Sequence, residues 1–502
     1  MRPQSRFPGE RELAFRHALL REGAYATLTE DDRRLGHRFA GEWLEQHDAG
    51  DPMVLAAHFE RGGEGVRAAT YYLRAAEHAF LVRDLRATMA RAGLGLGCAP
   101  PQELRIALLG MRCEVAGNSL QMIGEVMADA EEVLRAAPRG SIPWAQALIA
   151  YLQGTMITGR IGDFMVALER IRDVDPAPEA IGRTALVFLC GVLVLDNLGQ
   201  VQAATALEER FTAVVTSTGD REPLARFWWN YTLSLRAFTA HEAPWRAFQH
   251  GEALAAISEA IGGGELYTVS LQLMRGLSLW SLGAHAAAER TLAELAAADA
   301  TLGVGSSLRR FALSWLHADR GELDEARAIA TELSEFGRAH HNPLEESRGR
   351  WALAEVLRRT GDLDGAEREL QIALAMAVPL EQPGVLGTLA RLRLTQGRAA
   401  EALDAAEDGL VRATAMGGCG LFRGAFVRLT CAEALHATGE LETARRAIAN
   451  ARTRLLAIAD QIGDPAYRTS FLEEVPDNVR TLALARAWLG EPAPGAQDLV
   501  EP

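Results

Sequence analysis

The sequence contains no lysine, so all 52 basic side chains among its 502 residues are arginine. This absence excludes every mechanism that depends on a lysine amine. Among these are the phosphate-binding lysine of P-loop nucleotide hydrolases, the strand lysine of protein kinases and Schiff-base chemistry. A GxxxxGK[ST] motif is therefore impossible in this chain.

Cysteine is also scarce, and the few cysteines are scattered and odd in number. They are Cys98, Cys113, Cys190, Cys419 and Cys431. None forms a CxxC pair, so the sequence indicates neither a disulfide framework nor a zinc knuckle. We interpret the thiols as buried and unreactive, in a reducing cytoplasmic compartment.

Basic residues are fewer than acidic ones: 66 acidic side chains outnumber the 52 arginines and give a formal net charge of −14. Proteins that bind nucleic acid or anionic membranes usually carry a basic surface, so neither partner is expected. The most apolar run, residues 184–195, is shorter than the roughly 18 residues of a membrane span. We predict that this run forms a buried helix.

Motifs that hold catalytic groups or metals are missing as well. There is no HExxH motif, and the adjacent His340 and His341 cannot converge on one metal from a helix. Ser306 and Ser307 lie in GVGSS and not in a G-x-S-x-G elbow. We therefore expect no catalytic residues, no metal and no cofactor. A helical enzyme with an unrecognised site is the least supported function.

What the sequence has in abundance is helix-forming residues. Alanine, leucine, arginine and glutamate dominate, and apolar residues recur at spacings of three and four, as at Trp351, Ala354 and Leu357. This pattern is typical of amphipathic helices. At 48% hydrophobic residues the chain has ample material for a core. We predict an all-α fold.

A turn with glycine followed five positions later by alanine recurs along the chain. The seven clear copies pair Gly162 with Ala167, Gly199 with Ala204, Gly283 with Ala288, Gly321 with Ala326, Gly361 with Ala366, Gly397 with Ala402 and Gly439 with Ala444. A degenerate copy lies at His241, where Ala247 comes one residue late. With that copy included, the intervals average about 40 residues, which indicates a helical repeat.

Each position of this turn has a local physical reason. Glycine can end the first helix in a left-handed conformation, and an acidic residue after it can cap the next helix. The alanine allows the two helices to approach closely. Each helix pair leaves an apolar face that only the next pair covers, so the repeat predicts a right-handed superhelical solenoid of helix pairs.

The turn resembles that of the tetratricopeptide repeat, which reads Gly-x-(Tyr/Leu)-x-x-Ala. The resemblance covers about residues 145–460, with a weaker copy near residues 56–79. The period exceeds the usual 34 residues, and the closing proline is mostly missing. The sequence is therefore more similar to the long, divergent repeats of MalT-like regulators than to compact adaptor repeats.

The N-terminal segment FRHALLREGAY resembles the F-x-H-x-L-x-R-E-x-x-Y helix of bacterial STAND-type signalling ATPases. The residues that carry this likeness are Phe15, His17, Arg21, Glu22 and Tyr25. The following stretches 33–37, 55–60 and 69–76 resemble the next elements of that family, and 471–478 resembles the end of such chains fused to serine/threonine kinases or cyclases. In that family a histidine can contact the nucleotide phosphate; otherwise His17 packs within a helical bundle.

The resemblance implies a division of the chain. We expect residues 1–50 to be a helical segment like the end of a STAND ATPase core, and residues 51–98 to be a first degenerate repeat. Residues 102–490 would then form the main solenoid, after the break at Pro100-Pro101, and residues 491–502 a disordered tail.

The resemblance also implies a non-catalytic scaffold or sensor that mediates protein–protein interaction in a STAND ATPase or serine/threonine kinase signalling system. With no lysine, the chain itself is expected to lack ATPase and kinase activity. The pattern after Pro476 predicts one helix and then the tail, with no helix-turn-helix, so we do not expect direct DNA binding.

A cluster of aromatic and arginine side chains around the degenerate repeat is the candidate binding surface. It comprises Arg226, Trp228, Trp229, Tyr231, Arg236, Trp245 and Arg246. One interpretation is that the aromatic rings fill the core where the repeat lacks its glycine. The other is a concave surface that binds a protein, a peptide or a small effector. An effector pocket near residues 226–248, as in a sensor of MalT type, is the alternative function.

Overall fold

In the computed structural model the chain folds into α-helices, with no strand among the residues that the structure describes. These are residues 15, 17–47, 50–117, 122–158, 160–218, 221–262, 265–296, 306–340, 342–418 and 424–490. The predicted all-α fold of helix pairs is confirmed. The predicted tail at 491–502 and Cys419 lie outside these residues.

The helices form two compact units, residues 1–167 and residues 168–502. The helices of the first unit are α1 Ala18–Ala26, α2 Glu30–Gln46, α3 Pro52–Arg61, α4 Gly65–Leu81, α5 Leu85–Gly97, α6 Gln102–Gly117, α7 Ile123–Ala136 and α8 Ile142–Ile157. From α2 to α8 each helix packs against the next, while α1 buries none of its side chains. Helix α9, Ile161–Arg172, contains the boundary between the units.

The second unit continues the alternation of helix pairs. Its helices are α10 Ile181–Asn197, α11 Val201–Thr218, α12 Pro223–Thr239, α13 Pro244–Ala260, α14 Glu265–Ser281, α15 His285–Ala293, α16 Ser306–Asp319, α17 Leu323–Ala339, α18 Pro343–Thr360, α19 Leu363–Met376, α20 Gln382–Thr395, α21 Ala399–Ala415, α22 Ala425–Ala437, α23 Leu441–Ala459, α24 Pro465–Glu473 and α25 Pro476–Leu489. The predicted boundaries at 50/51 and 98/102 stay predictions.

The apolar run 184–195 lies in α10, whose side chains are mostly buried. With the short turn of 3₁₀-helix before it, Pro178–Asn197 is long and apolar enough to cross a membrane, and two thirds of it is buried inside the fold. It is the only such helix among the described residues.

The repeat turns take the conformation that the sequence pattern predicts. Six of the turn glycines have φ between 72° and 90°, at Gly199, Gly283, Gly321, Gly361, Gly397 and Gly439. The alanine five residues after each of them is completely buried. Gly162 differs, because α8 ends at Ile157 and Gly162 is the second residue of α9. There the turn precedes the glycine, so our prediction for that copy was wrong.

Equivalent positions in successive repeats contact one another, so the contacting residues lie about one repeat period apart in the sequence. Asp196 in α10 pairs with Arg236 in α12, 40 residues later, and Asp319 in α16 pairs with Arg359 in α18, again 40 residues later. The indole Nε1 of Trp351 donates to Thr388 Oγ1 at 2.8 Å across 37 residues. The first helices of consecutive pairs therefore stack side by side.

The second unit also folds back on itself, so that its early turns contact its late helices. Asn197 O accepts a hydrogen bond from Leu380 N at 3.5 Å. Glu242, in the α12–α13 turn, pairs with Arg428 in α22. Leu282 O accepts from Ser470 Oγ at 3.0 Å. We call this set of contacts the closure of the second unit.

Close packing between α17 and α18 depends on two glycines. A Cβ atom on Gly349 would collide with the backbone of Ser334, and one on Gly337 would collide with the backbone of Glu346. Neither backbone can move aside as a flexible side chain could.

We therefore predict that Gly349→Ala lowers the free energy of unfolding by about 1–3 kcal/mol, because overpacking outweighs the better helix propensity of alanine. The urea midpoint of the far-ultraviolet circular dichroism signal measures this. Gly124→Ala is the matched control, since Gly124 is also helical and a Cβ there meets nothing within 4 Å. An unchanged midpoint for Gly349→Ala would contradict the packing described here.

Candidate functional site

The aromatic residues singled out in α12 lie mainly in the core. Trp228 and Tyr231 are buried, and their rings pack edge to face at 5.8 Å. Phe227 and Tyr267 complete the cluster. Burial raises the pKa of Tyr231 to about 12, so its hydroxyl stays protonated at neutral pH. These rings join α12 to α14.

Arg236 lies in a buried ion-pair network and not on an open surface. Its guanidinium donates to both carboxylate oxygens of Asp196, at 2.8 and 3.1 Å, and to Glu208 at 2.5 Å. The side chain is 1% exposed. Arg236 therefore joins α10, α11 and α12, where a charge without partners would be costly.

The other members of the predicted surface are separated from this cluster. Trp229 is half-buried and donates from Nε1 to Thr212 Oγ1 at 3.1 Å. Arg226 is half-buried and Arg246 is exposed. Trp245, in α13, stacks on Phe248 and contacts Tyr467 of α24. Trp245 therefore packs against a late helix of the second unit.

A small cavity of about 40 Å³ lies at the closure. We call it the closure cavity. Its wall is mostly apolar, with Phe238, Pro244, Leu455, Ile458 and Phe471 among the lining residues. The α12–α13 turn at one side falls within residues 226–248, but none of the seven predicted surface residues lines the cavity.

Glu242 and Arg428 supply the charged part of the cavity wall. Arg428 donates from Nη1 to Glu242 Oε1 at 3.1 Å and from Nη2 to Oε2 at 2.9 Å. Arg454 lies 3.7 Å from the same carboxylate, which is 6% exposed. Glu242 has a φ of 50°, a conformation that costs a residue with a side chain some free energy. A Cβ on Gly424 would overlap this carboxylate.

Sequence analysis identified the degenerate turn but missed Glu242. The signal was present: six other repeat turns of the second unit have glycine where this one has a carboxylate, which indicates a specific role for the side chain. Arg428 could not be found, because it is 186 positions away and no pattern links the two.

A second, more open cavity of about 510 Å³ lies further along the second unit. We call it the C-terminal groove. It is lined by Arg358, Arg391, Leu394, Thr395, Glu433, His436, Pro476, Asp477, Arg480, Leu484 and Trp488. These residues come from α18, α20 and α22, the first helices of three successive pairs, and from α25.

The charged side chains of the C-terminal groove are partly compensated. Arg391 pairs with Asp477, and Arg480 pairs with Glu433. Arg480 keeps 61% of its side chain exposed. The rings of His436 and Trp488 stack at 4.4 Å with 13° between their planes. Three arginines and a stacked aromatic pair thus face two carboxylates.

Glu355 is a buried carboxylate that pairs with Arg358 of the groove wall. It accepts hydrogen bonds from Arg358 and Arg359, and Arg359 continues to Asp319 of the preceding repeat. Burial alone would raise the pKa of Glu355, but the neighbouring guanidinium groups hold it at about 2. The carboxylate therefore stays charged at physiological pH and pairs with Arg359, the side chain that connects the two repeats.

The motif residues near the N-terminus are all exposed but differ in their contacts. Phe15 and His17 are exposed, and His17 precedes α1 without capping it. Arg21 and Glu22 are exposed, 4.0 Å apart. Tyr25 is also exposed, but its hydroxyl hydrogen-bonds to a histidine of α2.

Tyr25 begins a chain of hydrogen bonds between the segments that were singled out for their resemblance to STAND-type ATPases. Tyr25 Oη lies 2.8 Å from His37 Nε2, and His37 Nδ1 lies 3.0 Å from His58 Nδ1. Burial lowers the pKa of both histidines, and their proximity lowers that of His37 further. The segments 15–25, 33–37 and 55–60 thus meet through side chains that hold α1, α2 and α3 together.

No group of three histidine, cysteine, aspartate or glutamate side chains in the described part of the chain is placed to hold a metal ion. Cys98, Cys113, Cys190 and Cys431 are free thiols.

Four stretches of the second unit match the family model of the tetratricopeptide repeat. They are residues 308–331, 347–371, 383–408 and 425–450. Each stretch begins in the first helix and ends in the second helix of one pair, from α16–α17 to α22–α23. The chain therefore contains tetratricopeptide repeats, and the resemblance of its turns to that repeat is confirmed.

No curated protein sequence matches the chain. Among solved structures, a Rap protein complexed with competence and sporulation factor has 11% identity and a TM-score of 0.46 over 69% of this chain and 98% of its own. Yeast Tom70 has 11% identity and a TM-score of 0.36 over 92% and 97%. The APC/C hetero-tetramer Cut9–Hcn1 has 12% identity and a TM-score of 0.36 over 93% and 98%. These values describe a loose likeness and assign no partner or activity to this chain.

The buried charge of Glu355 gives a prediction with a pH dependence. We expect Glu355→Gln to lower the free energy of unfolding by about 3 kcal/mol at pH 7, because it leaves buried guanidinium groups without their anion. Since the folded pKa of about 2 lies below the ordinary value of 4.5, this stabilisation is complete above pH 4.5 and is lost as the pH falls toward 2.

Urea unfolding of wild type and variant at pH 7, 4 and 3 measures the difference, which should shrink as the pH falls. Glu442→Gln is the control, because the Glu442 side chain is 83% exposed and its surface pair should contribute little. A Glu355→Gln difference that is the same at all three pH values would show that the carboxylate charge is not the cause.

Proposed function

We propose that the chain is a non-catalytic scaffold whose repeats bind a segment of a partner protein in the C-terminal groove. The observation that carries this proposal is the wall of that groove, built by the first helices of three successive repeats and by α25. Consecutive repeats expose side chains at a regular spacing along one surface, which suits an extended peptide better than a compact ligand.

The chemistry of the groove favours a peptide segment with acidic side chains. Arg480 lines the groove with 61% of its side chain exposed, and the stacked rings of His436 and Trp488 line it too. Arginine can hold a carboxylate through two parallel hydrogen bonds, and an aromatic ring adds apolar contact. Arginine and tryptophan are also the residues that most often dominate binding energy at protein interfaces.

We further propose that the partner is a STAND ATPase or a serine/threonine kinase of a cytoplasmic signalling system. Support comes from the N-terminal resemblance and from the surface of α1 and α2. Leu19, Leu20 and Phe39 are all more than half exposed there. An apolar surface of this kind is typical of an interaction site, which suits an ATPase core packed against α1 and α2. The free thiols suit a reducing compartment.

Charge reversal in the groove should abolish capture of the partner. We expect affinity-tagged wild-type chain, crosslinked in the native cell, to capture an ATPase or kinase, and Arg480→Glu to reduce that capture at least about tenfold, because like charges would oppose the acidic segment. Quantitative mass spectrometry measures the captured proteins.

Arg446→Glu is the matched control, since Arg446 is an exposed arginine on α23 outside the groove. In the same experiment Leu19→Asp tests the α1–α2 surface and should release the ATPase or kinase. The groove is not the binding site if Arg480→Glu and Arg446→Glu capture the same proteins. If Leu19→Asp does not reduce the capture of any ATPase or kinase, the proposed signalling partner is wrong.

A further inference from the structure

Two histidine rings lie against each other where α2 packs on α3 in the first unit. His37 of α2 and His58 of α3 are half-buried, and their Nδ1 atoms are 3.0 Å apart. Two nitrogens at this distance form a hydrogen bond only if one carries a proton and the other offers a lone pair. The contact therefore depends on how many protons the two rings hold.

The pair can accommodate one added proton but not two. With both rings neutral, one Nδ1 donates to the other, and a single imidazolium can still donate to a neutral partner. A second proton places a hydrogen on both Nδ1 atoms, so that two cations repel each other where the bond was. Tyr25 Oη, 2.8 Å from Nε2 of His37, can donate or accept and so permits each of these states.

The charged group that acts on both rings adds to this repulsion. Burial lowers the pKa of each ring below the ordinary value of 6.5, and Arg61 of α3 lowers it further. Arg38, next to His37 in α2, is faced by Glu42 and Glu64 at 3.9 and 4.0 Å. Since the folded pKa values lie below 6.5, the contact stabilises the fold fully above pH 6.5 and loses this effect as the pH falls through them.

The contact joins a loosely attached segment to the rest of the first unit. Helix α1 buries no side chain and contacts α2 through Tyr25 and Arg33, which donates to two carbonyl oxygens at the end of α1 at 3.1 and 3.0 Å. The second half of α2 is attached separately, because Glu45 accepts hydrogen bonds from Tyr71 and Arg67 of α4. Both partners lower the pKa of Glu45, so its carboxylate stays mostly charged in mild acid.

We propose that His37 and His58 form a pH-sensitive switch that holds residues 18–38 against α3 at neutral pH and releases them when both rings are protonated. The second half of α2 stays on α4. The position of Leu19 and Leu20, apolar side chains of the proposed partner surface, would then depend on pH. That consequence rests on the proposed function, whereas the switch is a property of the chain alone.

Hydrogen exchange of the full chain, followed by mass spectrometry, tests the switch without any partner. Protection factors, which correct for the intrinsic pH dependence of amide exchange, are compared at pH 7.5 and pH 4.5. We expect protection in residues 18–38 to fall at least about tenfold at pH 4.5, while residues 41–46 keep theirs. Unchanged protection in residues 18–38, or an equal loss in residues 41–46, overturns the proposal.

Variants attribute the response to the histidine pair. His58→Gln and His37→Gln each leave only one ionisable ring, so each should abolish the loss of protection in residues 18–38. His47→Gln is the matched control and should keep it, because His47 is an exposed histidine of α2 whose Nδ1 contacts the carbonyl oxygen of Trp43. A full response in either folded variant of the pair, or its absence in His47→Gln, overturns the assignment to His37 and His58.

Discussion

One ion pair joins parts of the second unit that lie 186 residues apart in the chain, the pair between Glu242 and Arg428. In a simple solenoid each repeat contacts only its neighbours, and no repeat would meet another at such a distance. Here the carboxylate belongs to Glu242, which has a φ of 50° at a position where six other repeat turns of the second unit have glycine. Both residues line the closure cavity, where early and late helices of the second unit meet.

Two kinds of interaction thus stabilise the second unit. Local packing relies on small residues: the alanine of each turn is buried, and Gly337 and Gly349 allow α17 and α18 to approach closely. Charge connects one repeat to the next, through Asp196 with Arg236 and through Asp319 with Arg359. Because the buried cations named here are arginines, each can bind two carboxylates or a carboxylate and a carbonyl at once, which a lysine could do less well.

The repeat could be predicted from the sequence because its determinants are local. Glycine, the capping residue and the buried alanine all act within one turn, and the pattern located six of the turns correctly. Arg236 was expected at a surface, since a charged residue usually lies there. Its partner Asp196 is one period earlier, so a search for opposite charges 40 residues apart would have indicated the buried pair. The closure and the C-terminal groove depend on contacts across many repeats, and no local pattern encodes them.

The closure makes the stability of two distant segments interdependent, and hydrogen exchange of the Arg428→Gln variant tests this most directly. The account predicts that amide exchange rises about tenfold both in residues 424–431 and in residues 238–247, while α17 and α18 remain as protected as in the wild type. A rise confined to the neighbourhood of residue 428 would contradict it, because the α12–α13 turn would then not depend on Arg428.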